Sequence, residues 1–369
     1  MSLLKAVSSA LSDGFGTVAD VGAYGDVTGF MDTGSYTVNA LISGSIFGGF
    51  PTNKITGFAG EKSTGKTFFI IRGIKGFLEL DPENEVLIFD SEAAITKAQL
   101  EAQGVDISRV AVEPVATVEE FRTKALNVLN KYHEIITPYL KKNKFKAPDP
   151  KLMLVLDSIG NLSTTKEVTD IAAGSDKRDM TKQQLMKGAF RVLTIECGRL
   201  NVPMLLTSHC YQSIGQYITT NTMSGGTGAQ YAASTLLFCS KSYEKDDRIT
   251  TGSIIKFVTE KSRLTREKQR VESLLRYDGG IDRYYGLIAF AEEAGIIKKI
   301  ANKYEWPDGT KAFEKAILKH PEKFFTQPIL ERIDEWCSKR FRYVSGAISE
   351  DDSSSEDGES LQDKSESED

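Results

Sequence analysis

Eight consecutive residues, Gly60-Glu61-Lys62-Ser63-Thr64-Gly65-Lys66-Thr67, fit the spacing Gly-x-x-x-x-Gly-Lys-[Ser/Thr] of a phosphate-cradling loop. Each fixed residue has a physical task. The glycines let the backbone turn tightly and bring N–H groups against phosphate oxygens. Lys66 has the length to reach β- and γ-phosphates, and the Thr67 hydroxyl suits Mg²⁺. The chemistry implied is the binding of ATP with Mg²⁺. Ile55-Thr56-Gly57-Phe58 reads as a strand entering the loop. Thr67 to Leu80 reads as a helix leaving it, and a helix N-terminus favours anions.

Three further polar positions close apolar runs. Leu152-Met153-Leu154-Val155-Leu156 ends in Asp157, the place of a carboxylate that holds Mg²⁺ directly or through water. Phe89-Asp90-Ser91-Glu92 closes the strand after the P-loop helix. A carboxylate there could activate the attacking water, and either Asp90 or Glu92 could instead cap the following helix. Leu205-Leu206-Thr207-Ser208 leads to His209, read either as a γ-phosphate contact or as an imidazole satisfied locally.

These positions need a scaffold that brings strand ends together. Apolar strands at Ile55–Phe58, Val86–Phe89, Val110–Val112, Leu152–Leu156, Met204–Thr207, Leu236–Cys239, Ile254–Val258 and Val271–Leu275 alternate, in their first half, with helical patterns. The helices expected are Thr67–Leu80, Thr96–Gln103, Thr117–Tyr139 and Thr181–Leu200. Such alternation predicts an α/β fold with a largely parallel central sheet and ligands at the carboxyl ends of its strands. Two long connections, about residues 163–180 and 210–228, stand out against usual loop lengths. The first holds Lys177, Arg178 and Met180. The second holds Tyr211, Tyr217, Gly225 and Gly226. They read as surfaces for a long flexible partner such as single-stranded nucleic acid.

Charge divides the chain. Residues 350–369 carry ten acids and one base, so removing their net −9 from the overall −5 leaves +4 on the rest. This Ser/Asp/Glu tail predicts disorder. Before it lies a mostly helical stretch with Lys298, Lys299, Lys311, Lys315, Lys319, Lys323, Lys339, Arg340 and Arg342, with Trp306 and Trp336 to anchor a small core. The boundaries expected are an oligomerisation segment at 1–34, an ATPase core at 35–285, a small subdomain at 286–348 and the tail at 349–369. Leu3, Leu4, Val7 and Leu11 suggest a short N-terminal helix. Four dispersed cysteines have no metal-like spacing and fit free thiols of a reducing cytoplasm. No run reaches the length of a membrane span, and the start lacks a signal-peptide layout, so no membrane role is expected.

Taken jointly, several stretches resemble the RecA family of recombinases, nearest to the phage UvsX type of the T-even phages. They are Ala40-Leu41-Ile42-Ser43-Gly44 with Gly48-Gly49, Phe89-Asp90-Ser91-Glu92, Leu156-Asp157-Ser158-Ile159-Gly160-Asn161-Leu162, Ser224-Gly225-Gly226-Thr227-Gly228, Glu260-Lys261-Ser262-Arg263 and Tyr277-Asp278-Gly279-Gly280-Ile281-Asp282. The likeness covers about residues 35–345. It implies a DNA-dependent ATPase that forms helical filaments on single-stranded DNA and pairs it with homologous duplex. A single-strand-binding protein and a mediator or loader are implied as partners. By resemblance Glu92 is the catalytic base and His209 the γ-phosphate sensor. Lys261 and Arg263 resemble the basic pair that reaches the neighbouring subunit's ATP. The two long connections resemble the DNA-binding loops, and the acidic tail resembles one that restrains DNA binding. One departure stands out: RecA stacks adenine on a Tyr seven residues after the catalytic Glu, and here that residue is Gln99. The alternative from another class is a ring-forming motor such as a hexameric helicase, which would share Lys66, Thr67, Glu92 and Asp157.

Overall fold

A computed structural model describes residues 25–143, 149–174, 181–212, 221–223, 227–246 and 249–343. Phe30–Met31 (β1) pairs with Phe50–Pro51 (β2) in a small antiparallel ribbon. The main sheet is built from Ile55–Gly60 (β3), Glu85–Asp90 (β4), Val110–Pro114 (β5), Leu152–Asp157 (β6), Met204–Gln212 (β7), Asn221–Met223 (β8), Thr235–Asp246 (β9), Ile249–Ser262 (β10), Arg270–Arg276 (β11) and Gly280–Asp282 (β12). Its order is β12-β11-β10-β9-β3-β7-β6-β4-β5, with β8 paired to β7. From β9 to β5 all neighbours run parallel, while β10, β11 and β12 add an antiparallel edge. Crossover helices explain the parallel part, and short turns suffice for the rest.

β3 sits in the middle of this sheet, and both its faces are buried. On one face the P-loop helix Lys66–Leu80 turns Phe69, Ile70, Ile71, Ile74, Phe77 and Leu78 inward. Phe69 packs edge-on against Phe257 of β10 at 4.8 Å, and Phe58 meets Phe50 at 5.7 Å. On the other face the helices Val118–Lys142 and Lys182–Leu200 cover Leu154, Leu156, Met204 and Leu206. The strands and main helices follow the sequence pattern, most of them running a few residues longer.

Two expectations are corrected. The segment after residue 163 is not all loop. Thr164 and Glu167 form a reciprocal capping box that starts the helix Thr165–Ala172. The connection after His209 likewise begins and ends as a hairpin, with Cys210 opposite Met223. The C-terminal stretch is mostly helical, as expected, and also holds a small sheet. Lys298–Ile300 (β13), Lys303–Glu305 (β14) and Lys311–Phe313 (β15) form a three-stranded antiparallel sheet. Trp306 is buried there against Phe324 and Phe325, and Trp336 packs on Phe290.

This C-terminal part is tied to the core. The helix Gln327–Phe341 places Asp334 to accept from the Ile46 amide and the Ser45 hydroxyl, both at 2.7 Å. Arg342 donates to the Ser43 carbonyl at 3.0 Å. One apolar cluster runs unbroken from Met31 through the P-loop helix to Phe341. Among the described residues no helix is long and apolar enough to cross a membrane. Most of the segment 1–34, the tail 349–369, and Lys177, Arg178, Met180, Tyr217, Gly225 and Gly226 lie outside the described residues.

Candidate active site

The P-loop turns from β3 into its helix through two left-handed residues, Ser63 at φ 61° and Gly65 at φ 83°. Gly65 suits that conformation because a Cβ costs energy there. Gly60 is required for a different reason, since a Cβ on it would lie 2.4 Å from the Cys239 carbonyl oxygen. Lys66 is almost fully buried and donates to the Gly60 and Glu61 carbonyls at 3.0 and 2.8 Å. Burial lowers its proton affinity below the usual lysine range, while Asp157 and Glu92 pull the other way.

A cavity of about 190 Å³ opens at this turn. Its walls bring together Lys62, Ser63, Thr64, Gly65, Lys66 and Thr67 with Glu92, Asp157 and His209. Sheet register explains the meeting. Gly60, His209 and Cys239 lie side by side on β3, β7 and β9, and Asp90 lies beside Asp157 on β4 and β6.

Asp90 and Glu92 have separate environments. Asp90 is buried, and its carboxylate accepts from the Glu92 and Ile95 amides at 2.9 and 3.4 Å, capping the turn. Glu92 reaches the cavity. Its Oε1 accepts from the Ser158 hydroxyl at 2.5 Å and lies 2.9 Å from His209 Nε2. Burial alone would raise the Glu92 pKa. The bonds from Ser158 and His209, with the charge of Lys66, outweigh it and hold the carboxyl below its ordinary range.

Asp157 is 2% exposed. It accepts from Thr67 Oγ1 at 2.8 Å and from the Thr207 hydroxyl. Burial raises its pKa, the two hydroxyls oppose that, and the nearby charges of Glu92 and Asp90 add to the rise. A penalised buried carboxylate beside a threonine hydroxyl fits a hard divalent cation that keeps waters and phosphate oxygens as its other ligands. Among the described residues no group of three or more His, Cys, Asp or Glu side chains could form an all-protein metal cage.

Lys261 and Arg263 are not in this cavity. Lys261 lies opposite Leu236, which lies opposite Gly57, three residues back from Gly60. The Arg263 amide bonds the Ser234 carbonyl at 2.9 Å. Both therefore sit toward the amino ends of the parallel strands, away from their own P-loop. Lys261 Nζ donates to the Gln230 and Tyr231 carbonyls at 3.1 and 2.6 Å. Tyr211 lies on β7, its backbone opposite Thr222.

Four contributors escaped the sequence reading. Ser158 and Thr207 hold the two acids. Thr207 was legible, because residues two apart on a strand share a face and His209 was already placed. Phe68 and Tyr277 are the others. Phe68 joins the P-loop cavity to a groove lined by Gln99 and Gln103, and that groove to a larger hollow of about 590 Å³ walled by Gln103, Arg72, Tyr277 and Gly280. Tyr277 is 61% exposed there. Gln99 is occupied locally, accepting from the Thr96 amide at 3.0 Å in a capping box.

No family model matches the chain. It is 31% identical over 265 residues to the "Recombination and repair protein" of Enterobacteria phage T4, covering 72% of this chain and 64% of that protein. The chain thus spans just under two thirds of that relative's length. It is 24% identical over 313 residues to "Protein RecA" of Deinococcus radiodurans, covering 82% of this chain and 80% of that one. To "Protein RecA" of Aquifex pyrophilus it is 25% identical over 313 residues, with the same coverage. A likeness that extends over most of the chain and is stronger toward the phage protein assigns this chain to the RecA family, among its UvsX-like members.

Proposed function

We propose that this chain is an ATP-dependent strand-exchange recombinase. It assembles as a helical filament on single-stranded DNA and pairs that strand with homologous duplex. The observation that carries the reading is a split site. The P-loop, Glu92, Asp157 and His209 share one cavity, while Lys261 and Arg263 face away from it. A second copy stacked on the first would complete the site.

In this mechanism the P-loop amides and Lys66 hold the triphosphate. Thr67 and Asp157 hold Mg²⁺, which supplies positive charge to the phosphate oxygens when bound with the nucleotide. Glu92, kept ionised by Ser158 and His209, takes a proton from the attacking water. His209 bridges this base to the γ-phosphate end of the cavity. Lys261 and Arg263 of the next subunit stabilise the developing charge, as an arginine finger does. The adenine of the nucleotide would lie past Phe68, near Gln99, Gln103 and Tyr277, whose exposed ring offers the stacking face that Gln99 lacks. Lys177, Arg178, Met180, Tyr211, Tyr217, Gly225 and Gly226 contact single-stranded DNA through its backbone, leaving base edges free to test pairing. A single-strand-binding protein and a mediator serve loading.

A strand-exchange assay with ATP, a single strand and homologous duplex tests the reading. Joint molecules that depend on ATP and homology support it. Unwinding without homology, with discrete rings in electron micrographs, overturns it in favour of a hexameric motor. The relatives found carry names of recombination and RecA.

Two results are expected from variants of this reading. Asp157→Asn should raise the Mg²⁺ needed for half-maximal ATPase by about 10- to 100-fold. Its nucleotide-free form should melt no lower than wild type. The sign follows from the raised pKa: a buried carboxylate held above its ordinary range costs stability at neutral pH, and the amide removes that cost. Deleting residues 350–369 removes a net −9. Duplex binding should then tighten and persist to higher salt. Salt titration of filter binding checks this, and an unchanged slope argues against a tail that competes with DNA.

A further inference from the structure

Three cations, not two, gather at the sheet end that faces away from the P-loop. Lys54 immediately precedes β3, and its carbonyl accepts from the Met204 amide at 3.0 Å. The next carbonyl along, that of Ile55, accepts from Ser234 at 2.8 Å, and the Ser234 carbonyl accepts from Arg263 at 2.9 Å. The backbones of Lys54, Ser234 and Arg263 are therefore neighbours across β3, β9 and the end of β10. Lys261 lies two residues before Arg263 on the same edge. The six residues of β3 separate Lys54 from the P-loop by about 20 Å at the ordinary strand rise. None of the three lines the P-loop cavity of its own chain.

The cluster is held against its own repulsion. Burial and then the charge of Arg263 lower the proton affinity of both Lys54 and Lys261. Asp26 beside Lys54 and Glu267 beside Lys261 oppose this without cancelling it. Carbonyls at the end of the helix Thr227–Ala232 fix Lys261 and Arg263 from beneath. Half-buried Lys54 and Lys261 beside the exposed Arg263 gather like charge, which destabilises a free subunit, and an incoming anion offsets that cost.

We propose that Lys54 is a third donated cation, acting with Lys261 and Arg263 on the triphosphate bound by the neighbouring subunit. It forms no bond and transfers no proton; its contribution is charge at the phosphates. The proposal rests on the shared-site reading above.

The test is DNA-stimulated ATPase of Lys54→Met, alone and in mixed filaments. Alone, the rate should fall by about 10- to 100-fold, with binding of a fluorescent ATP analogue to free subunits unchanged. Lys54→Arg should keep most of the rate. Mixed with Lys66→Ala subunits, Lys54→Met should regain activity, because the Lys66→Ala copy still donates all three cations. Mixed with the Lys261→Ala, Arg263→Ala protein, it should regain none, because both lack part of the same donated surface. The opposite pattern places Lys54 in its own subunit's site and overturns the proposal. Weaker DNA binding with normal turnover per bound subunit also overturns it, assigning Lys54 to DNA phosphates. If Lys54→Met does not co-sediment with DNA, Lys54→Gln is read in the same mixtures. Failure of the shared site itself is distinguishable. It would leave Lys66→Ala and the Lys261→Ala, Arg263→Ala protein inactive together, whatever Lys54 does.

Discussion

Glu92→Gln should bind ATP as wild type does and hydrolyse it roughly 10²–10⁴ times more slowly. The amide keeps an oxygen for the Ser158 hydroxyl and for His209, so the cavity wall is preserved. What disappears is the proton acceptor. The loss corresponds to roughly 3–5 kcal/mol of barrier. If hydrolysis sets filament state, as the proposed function has it, filaments on DNA should then outlast those of wild type. Single-turnover phosphate release and filament lifetime measure the two effects separately. Near-normal turnover would place the base elsewhere. Asp90 is a poor replacement, because its carboxylate is committed to two amides of its own turn.

The second large effect needs two inactive proteins that work together. Lys66→Ala removes the amine that holds a subunit's own nucleotide. In the proposed shared site, Lys261→Ala with Arg263→Ala removes what a subunit lends to its neighbour, a contribution of several kcal/mol in comparable phosphoryl-transfer sites. Each protein alone should be nearly inactive. In a randomly mixed equal filament, about a quarter of interfaces pair an intact P-loop with an intact donated edge, if the trans geometry holds. Activity near that fraction of wild type is the expected reading. Co-sedimentation on DNA establishes first that both proteins enter the filament. Co-assembly with no recovery would remove Lys261 and Arg263 from the neighbour's site.

Much of this arrangement is written locally. The P-loop is a contiguous motif, and β6 advertises itself as five apolar residues closed by Asp157. Choosing between Asp90 and Glu92 from local pattern was not possible, because both follow the same strand. The choice depends on which carboxylate meets amides and which meets Ser158 and His209, residues 66 and 117 positions away from Glu92. The helix Thr165–Ala172 hid inside an expected loop because its apolar stripe is short and largely exposed. Only the Thr164–Glu167 capping pair marked it. The sheet β13–β15 was missed for a related reason. Its strands are three residues each, and lysines fill three of their five exposed positions, so they resemble a solvated helical face. Tyr277 opens one of the stretches quoted above, but nothing local ties it to the P-loop. It matters because Phe68 and Arg72 of the P-loop helix and the turn after β11, far apart in the chain, wall the same hollow.

The central placement of β3 also has a consequence for synthesis. Its two neighbours, β7 and β9, begin at Met204 and Thr235. A ribosome finishes the phosphate loop long before it finishes either flanking strand. Until both emerge, a strand that ends up buried on both faces has two open edges, a condition that invites association between chains. Non-local pairing of this order slows productive folding. Shielding of the nascent chain is therefore expected to matter most between the appearance of Gly60 and that of Asp246. Fragments ending inside that window should aggregate, whereas those ending after the antiparallel edge is complete should not.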